Sequence, residues 1–363
     1  MIVSHRPIRC HTATKRGLTK MIRKCRRAEL HAPMLDLTGL TANNYAKHSV
    51  AVFGKKDIYL MNARLSGFIR SIDASKMIHK KHVIRAVIQM HGLLVIFASF
   101  QTKVYDGDKL VWASEAIHSL EKTSSLDIFK EQVYFKNKDG YLVHIDFLPL
   151  IVSYNANLNL IHKPEVSLKS SQYYALSSET GELYRAEYTD GEKYDYSFKN
   201  ICKKAIHRNE TLAWDLVYES KLKVRLDHLA VTDNGLLIVV FKCKSEKEMM
   251  FEHKPSTDYS FTIFDKVGKL KSEITLPLTK QASYDTYQSP LSTLVLPSKP
   301  IFAVTLGSDT LDIIGMTSNN RLHHLNRLNQ SSWESIKCVH QSNRCQSIVM
   351  LYRDSISIVT IIC

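Results

Sequence analysis

Val83-Ile84-Arg85-Ala86-Val87-Ile88-Gln89-Met90, His91-Gly92, Leu93-Leu94-Val95-Ile96-Phe97-Ala98-Ser99-Phe100 is the stretch that sets the fold class. Its two runs are rich in β-branched and aromatic side chains, which suit a pleated surface. Between them a dipeptide ends in glycine, the residue that most cheaply adopts the positive φ of a tight hairpin. The same device recurs outward in both directions. Ser49–Phe53 and Asp57–Asn62 flank Gly54-Lys55-Lys56, and Thr102–Tyr105 and Leu110–Ala113 enclose Asp106-Gly107. Gln132–Lys136 and Tyr141–Phe147 flank Asn137–Gly140, and Gln172–Ser177 and Leu183–Tyr188 flank Glu179-Thr180-Gly181. Further on, Asp233-Asn234-Gly235 separates His228–Thr232 from Leu236–Lys242, and Lys266-Val267-Gly268 separates Asp258–Phe264 from Leu270–Leu276. Leu291–Leu296, Ile301–Leu306, Thr310–Met316, Leu322–Leu325, Ser347–Tyr352 and Ser355–Ile362 complete the series. Within the body, helical patterning is limited to Ser114–Lys122 and Ser197–His207, each enough for one or two turns. Strands alternating with long helices are absent, which excludes a Rossmann fold or a TIM barrel. The body reads as all-β.

The most hydrophobic strand of each cluster falls near residues 50, 94, 142, 173, 237, 302 and 348, a mean spacing of about 50. Blades of four strands repeat at roughly this interval, so seven clusters fit seven blades. Longer polar connections around Lys244–Ser256 and Gln281–Gln288 absorb the two widest gaps. The body, over residues 41–363, resembles a divergent β-propeller of the WD40-like superfamily. The likeness rests on strand endings in which an aromatic or aliphatic residue precedes Asp: Tyr105-Asp106, Ile145-Asp146 and Phe264-Asp265. Trp214-Asp215 is present literally but lies outside a clean strand, and the family's Gly-His pairs are missing. The resemblance implies that the C-terminal strand Ser355–Cys363 completes a blade with a strand from the other end of the chain, for which Ser49–Phe53 is the candidate. That would remove two exposed edges.

Charge separates the two ends. Among 363 residues, 49 Lys and Arg face 35 Asp and Glu, a net +14. Nine of the cations lie in the first 27 residues: Arg6, Arg9, Lys15, Arg16, Lys20, Arg23, Lys24, Arg26 and Arg27. No acid precedes Glu29, so residues 1–40 read as a basic arm ahead of a nearly neutral body. Leu18, Met21, Ile22 and Cys25 follow the spacing of one helical face, so part of the arm is expected to be helical. Three uses suit such an arm: phosphate neutralisation on RNA or DNA, a mitochondrial transit peptide over residues 1–28, and a solvated tail. Scarce serine and a basic density that peaks late, at residues 23–27, count against transit.

Composition excludes several classes. The chain is 44% apolar and 23% charged, which rules out wholesale disorder. The longest apolar runs, such as Leu93–Phe100 and Leu236–Phe241, fall far short of the ~20 residues of a spanning helix, so no membrane partner is expected. The first residues carry no apolar signal-peptide core. Seven irregularly spaced cysteines read as reduced intracellular thiols.

No phosphate-binding loop, dinucleotide fingerprint, HExxH or GxSxG occurs, so neither catalytic residues nor a cofactor are expected. His5, Cys10, His11, Cys25 and His31 lack the paired spacing of a zinc clip, as do Cys338, His340 and Cys345. His323 and His324 are adjacent on a strand and face opposite sides, which disfavours a shared metal. No metal site is expected. Glu246, Glu248 and Glu252 alternate with lysines, as on a solvated loop. Basic clusters recur between strands at Lys76–Lys81, Lys199–Arg208 and Lys221–Arg225, where several connections sharing a face would make one positive surface.

The expected binding residues for RNA or an acidic partner are therefore Arg16, Lys20, Arg23, Lys24, Arg26, Arg27, Lys80, Lys81, Lys203, Lys204 and Arg208. The sequence points to a non-catalytic propeller scaffold in an intracellular ribonucleoprotein or nuclear complex, with ribosome biogenesis or RNA modification favoured. Its partners would be other protein subunits and RNA, and its compartment the nucleus or nucleolus, or the mitochondrion if residues 1–28 are a transit peptide. The alternative is a purely protein-binding adaptor in trafficking, ubiquitin ligation or chromatin, with the arm as a targeting signal.

Overall fold

In the computed structural model the residues described are 3–7, 24–31, 37–43, 49–62, 67–79, 81–114, 120, 126–129, 132–146, 166–168, 173–177, 179–188, 198–206, 213–220, 225–232, 235–243, 258–277, 301–305, 310–317, 319–329, 335–342, 345–352 and 355–362. Apart from the single 3-10 turn Ala74–Lys76, every regular element among them is a strand. The strands form seven antiparallel sheets and divide between two compact units.

The first unit spans Met1–Val166 and Ser331–Cys363. One of its sheets runs in order through β3 (Leu37–Asn43), β4 (Ser49–Gly54), β5 (Asp57–Asn62) and β6 (Gly67–Asp73). The next holds β7 (Ile84–Met90), β8 (Leu93–Ala98), β9 (Thr102–Asp106) and β10 (Lys109–Ala113). A third holds β11 (Asp127–Phe129), β12 (Gln132–Lys136), β13 (Tyr141–Asp146) and β14 (Val166–Ser167). A fourth joins both ends of the chain: β1 (Val3–Pro7), β2 (Lys24–His31), β28 (Ser355–Ile362), β27 (Cys345–Leu351) and β26 (Ser335–Ser342), side by side in that order.

Strand β8 shows why these sheets stack. All six of its residues are buried. Successive side chains leave a strand on opposite faces, so Leu93, Val95 and Phe97 pack with Val133, Phe135, Val143 and Ile145 of the β11–β14 sheet. Leu94, Ile96 and Ala98 turn the other way, onto Ala51, Phe53, Ile58 and Leu60 of the β3–β6 sheet. Strand β4 repeats the scheme one sheet earlier: Val50 and Val52 meet Val349, Leu351, Ile356 and Ile358 of the terminal sheet. An unbroken apolar run is thus what a strand between two sheets requires. Each large side chain so buried contributes roughly 1.5–3 kcal/mol.

The second unit, Ser167–Gln330, is built the same way. It holds β15 (Tyr174–Leu176) to β18 (Asp215–Glu219), with β16 (Glu182–Tyr188) and β17 (Phe198–Ala205) between them. Then come β19 (Arg225–Val231), β20 (Leu237–Cys243), β21 (Asp258–Phe264) and β22 (Leu270–Pro277), followed by β23 (Ile301–Thr305), β24 (Thr310–Met316) and β25 (Leu322–Asn329). Here β20 is the two-faced strand. Leu237 and Val239 pack on Tyr184, Ala186 and Ile201, whereas Ile238 and Val240 pack towards Phe302 and Ile314.

Three expectations need correction. Ser49–Phe53 does not partner the C-terminal strand; it is the second strand of its own sheet. The partner is β2, whose backbone pairs with β28 from Lys24↔Ile362 to His31↔Ser355. The arm therefore does not simply precede the first strand: Lys24–His31, including Cys25 of the expected helical face, is strand, while Leu18, Met21 and Ile22 lie outside the described residues. A bare edge on β28 is the physical reason, since unpaired backbone groups on an apolar strand seek a partner. Nor does Ser197–His207 hold a helical turn, because Phe198–Ala205 is β17. Its spacing of Phe198, Ile201, Cys202 and Ala205 mimics a helix, but pairing with β16 and β18 wins. Leu291–Leu296, and Ser114–Lys122 apart from Ser114 and Leu120, lie outside the described residues.

Two hairpin glycines give a graded test. Gly92 and Gly268 have φ of +83° and +81°, but a Cβ at Gly92 would meet open space and one at Gly268 would collide with the carbonyl of Val217 on β18. Gly92→Ala should cost only the left-handed penalty, about 1–2 kcal/mol. Gly268→Ala should cost distinctly more, read as a larger fall in the denaturant midpoint; equal losses would contradict the close approach.

Candidate functional site

The expected binding residues separate into distinct surroundings. Lys24, Arg26 and Arg27 lie in β2, held along β28 by backbone pairing. Arg16, Lys20, Arg23, Lys80 and Arg208 lie outside the described residues. Lys81 is exposed in the turn leading to β7, where its backbone N–H donates to His79 Nδ1 at 3.3 Å. Lys203 and Lys204 are both on β17, which is held between β16 and β18.

Lys203 has a partner. Its ammonium lies 2.8 Å from Glu182 Oε1, across the β16–β17 pair. The Tyr184 hydroxyl donates to Glu182 Oε2 at 3.0 Å. Burial pushes the Glu182 carboxyl upward, but the hydrogen bonds and charge of Lys203, with those of Tyr184 and Thr180, outweigh it and hold the group below its ordinary range. Burial, and then the Glu182 charge, raise the Tyr184 phenol. Beside this network Arg185 places its guanidinium 3.9 Å over the ring of Trp214 and bonds Glu187. Trp214 thus serves as the platform for a cation, and the neighbouring Asp215 opens β18.

A second network escaped sequence reasoning. Asp312 is wholly buried in β24, within an otherwise apolar run. Arg327, directly across on β25, grips both carboxylate oxygens through Nε at 2.7 Å and Nη2 at 3.0 Å. His324 Nε2 lies 2.6 Å from Oδ1. An acid inside an apolar strand is the signal that was available, because a buried charge must be paired. The arrangement fills the carboxylate with fixed donors, so it is suited to holding two strands in register and not to moving a proton.

Burial and then Glu187 push the Cys202 thiol up, which keeps it protonated and a poor nucleophile. Among the described residues no group of three His, Cys, Asp or Glu side chains converges in a way that would hold a metal ion. Among them also, no helix is long and apolar enough to cross a membrane.

Stacked antiparallel sheets with strands buried on both faces are the construction of a β-propeller, and the solved structures whose fold this chain shares are of that kind. They include the WD40 repeats of RRP9, at TM-score 0.60 and 10% identity over 92% of this chain and 97% of that one. U3-55K matches at TM-score 0.59 and 11% identity, over 92% and 98%. Hsv2 of Kluyveromyces lactis matches at TM-score 0.53 and 11% identity, over 88% and 90%. No protein-family model matches the chain, and no curated protein matches it in sequence.

The Glu182 network gives a pH prediction. A carboxyl held below its unfolded value stabilises the fold above that value, and the gain disappears as pH falls through the folded value. The melting-temperature advantage of the native chain over Glu182→Gln should therefore be full at neutral pH and vanish in strong acid. A constant difference across an acid titration would contradict the role of the Lys203 pair.

Proposed function

We propose that the chain is a non-catalytic propeller scaffold in an intracellular ribonucleoprotein or nuclear complex, acting in ribosome biogenesis or RNA modification, with its basic N-terminal segment contacting RNA or an acidic partner. One observation carries the reading: the most cationic part of the sequence runs directly into β2, and β2 is zipped along its whole length to β28. Cations fixed to a folded body neutralise phosphates without first being ordered, so more of the counterion-release gain is kept as affinity. The same pairing speaks against a transit peptide over residues 1–28, because cleavage there would strip five residues of β2 from the sheet. Nucleus or nucleolus is the compartment this reading favours.

An adaptor that binds only proteins is the second reading, and it has its own observation. Leu216, Val267 and Leu270 are 59%, 71% and 52% exposed. All three lie within two residues of the Gly268–Val217 approach in the chain.

The salt dependence of RNA binding decides between the two. Each neutralised phosphate on a single strand contributes a slope of about −0.7 in log affinity against log salt. Engaging five or six of the nine N-terminal cations should cost roughly two orders of magnitude or more between about 50 and 200 mM salt. Substituting Arg16, Lys20 and Arg23 by Ala should flatten the slope by about 2, and substituting Lys24, Arg26 and Arg27 should do the same. Unchanged slopes, or no RNA retention at low salt, would favour the adaptor.

A further inference from the structure

A second feature sits in the first unit, at one end of the β7–β10 sheet, and three turns build it. The connection from the 3-10 turn to β7 carries His79, Lys81 and His82. The β8–β9 turn, closed by the Ala98 N–H donating to the Gln101 carbonyl at 2.9 Å, lifts Phe100 to its tip. The β12–β13 turn of the neighbouring sheet carries Lys138, and its shape is fixed by Asn137, whose side-chain oxygen accepts from the N–H groups of Asp139 and Tyr141 at 3.1 and 2.9 Å.

Phe100 is 49% exposed at the turn tip. Its surroundings are not apolar. Lys138 Nζ lies 4.3 Å over the ring, and the His82 ring is 5.2 Å away, tilted 45°. The His79 ring lies 5.5 Å beyond His82. Lys103 reaches into the same end of the sheet and donates to the Met77 carbonyl at 3.0 Å. Burial, then the charges of His79, Lys103 and Lys138, lower the His82 pKa, so its imidazole is neutral at neutral pH. Two acids lie close in sequence: Asp139, exposed beside Lys138, and Asp73, whose carboxylate is occupied by the Ser75 N–H at 2.9 Å. A flat aromatic face held on hydrogen-bonded turns and flanked by ammonium groups is what a nucleotide strand with unstacked bases requires. An acidic peptide would use the lysines and have no need of the ring; a duplex would offer phosphates and no free base.

We infer that this rim binds an unpaired nucleotide strand, with Phe100 as the stacking platform for one base and Lys81 and Lys138 on the adjoining phosphates. The base takes the ring face over which the Lys138 ammonium now sits, and the freed ammonium swings to phosphate, so the cation–π contact is exchanged for a charge pair. The inference takes its ligand class from the scaffold reading but uses different residues, far in sequence from the N-terminal segment.

The test measures fluorescence anisotropy of a short labelled oligouridine, the matching oligodeoxythymidine and an RNA duplex against the full chain across a salt series. Phe100→Ala should weaken oligouridine binding roughly 5- to 100-fold, the worth of one stacked base. It should leave the salt slope and duplex binding unchanged, because no phosphate contact is lost. Phe100→Tyr should bind as the native chain, and Lys138→Ala should reduce the slope by about 0.7. Equal loss on oligodeoxythymidine would assign the platform to any single strand; loss on oligouridine alone, to RNA. Since Phe100 is exposed, unchanged melting is expected of each variant and is measured alongside. Native affinity in Phe100→Ala overturns the platform, even where the N-terminal substitutions still flatten the slope and the scaffold reading stands. A chain that binds heparin but neither oligonucleotide also overturns it, and the N-terminal segment then stands or falls on its own salt titration.

Discussion

Backbone pairing between Lys24–His31 and Ser355–Ile362 is the contact on which the first unit depends. Strand β28 is buried on both faces: Ile356, Ser357, Ile358 and Val359 are all shielded from water. Such a strand cannot be left with a bare edge, since every unpaired N–H and C=O would sit beside apolar surface and invite another chain. With β2 in place the sheet presents β1 outward, a short strand ending at Pro7, which cannot donate to a further ladder. The terminal sheet then has a fixed surface against which Val50 and Val52 of the β3–β6 sheet pack. From there the alternation of faces through β4 and β8 carries the stack onward, each strand serving two cores at once.

That alternation explains what could be read in the sequence. The inner strands announce themselves because burial on both faces forces an unbroken run, as in Leu93–Ala98 and Leu237–Val240. Their turns announce themselves because glycine adopts the positive φ they need at least cost: Gly92, Gly107, Gly140, Gly181, Gly235 and Gly268 all have it, as do His91 and Asn320. The outer strands did not stand out. Asp215–Glu219 and Ser335–Ser342 carry many polar residues, and Phe198–Ala205 has a helical spacing that only pairing with its neighbours overrides. Strand β2 is the least legible, since eight residues dense in Lys and Arg look like a solvated tail until a partner strand from the far end of the chain is known.

The candidate site was legible in the same partial way. Basic residue types pointed to a polyanion, but composition does not show which lysines have partners. Lys203 is held by Glu182, and Arg185 lies on Trp214. Lys81 is exposed, and its turn shares an end of the sheet with Phe100 and Lys138, which no spacing in the sequence connects. Asp312 had a visible signal, an acid within an apolar strand, yet its partners Arg327 and His324 emerge only from the β24–β25 register. Buried charges here fix register, exposed ones are free to bind, and position in the sheet decides which is which.

The central claim is that the cationic stretch Lys24–His31 is a strand of the folded body and not a tail. Native-state hydrogen exchange, read by peptide mass spectrometry, tests it directly. Paired amides in β2 should be protected to a degree comparable with those of β27 and β28, because all three open together when the sheet opens. Exchange of Lys24–His31 at free-chain rates, with β27 and β28 still protected, would contradict it.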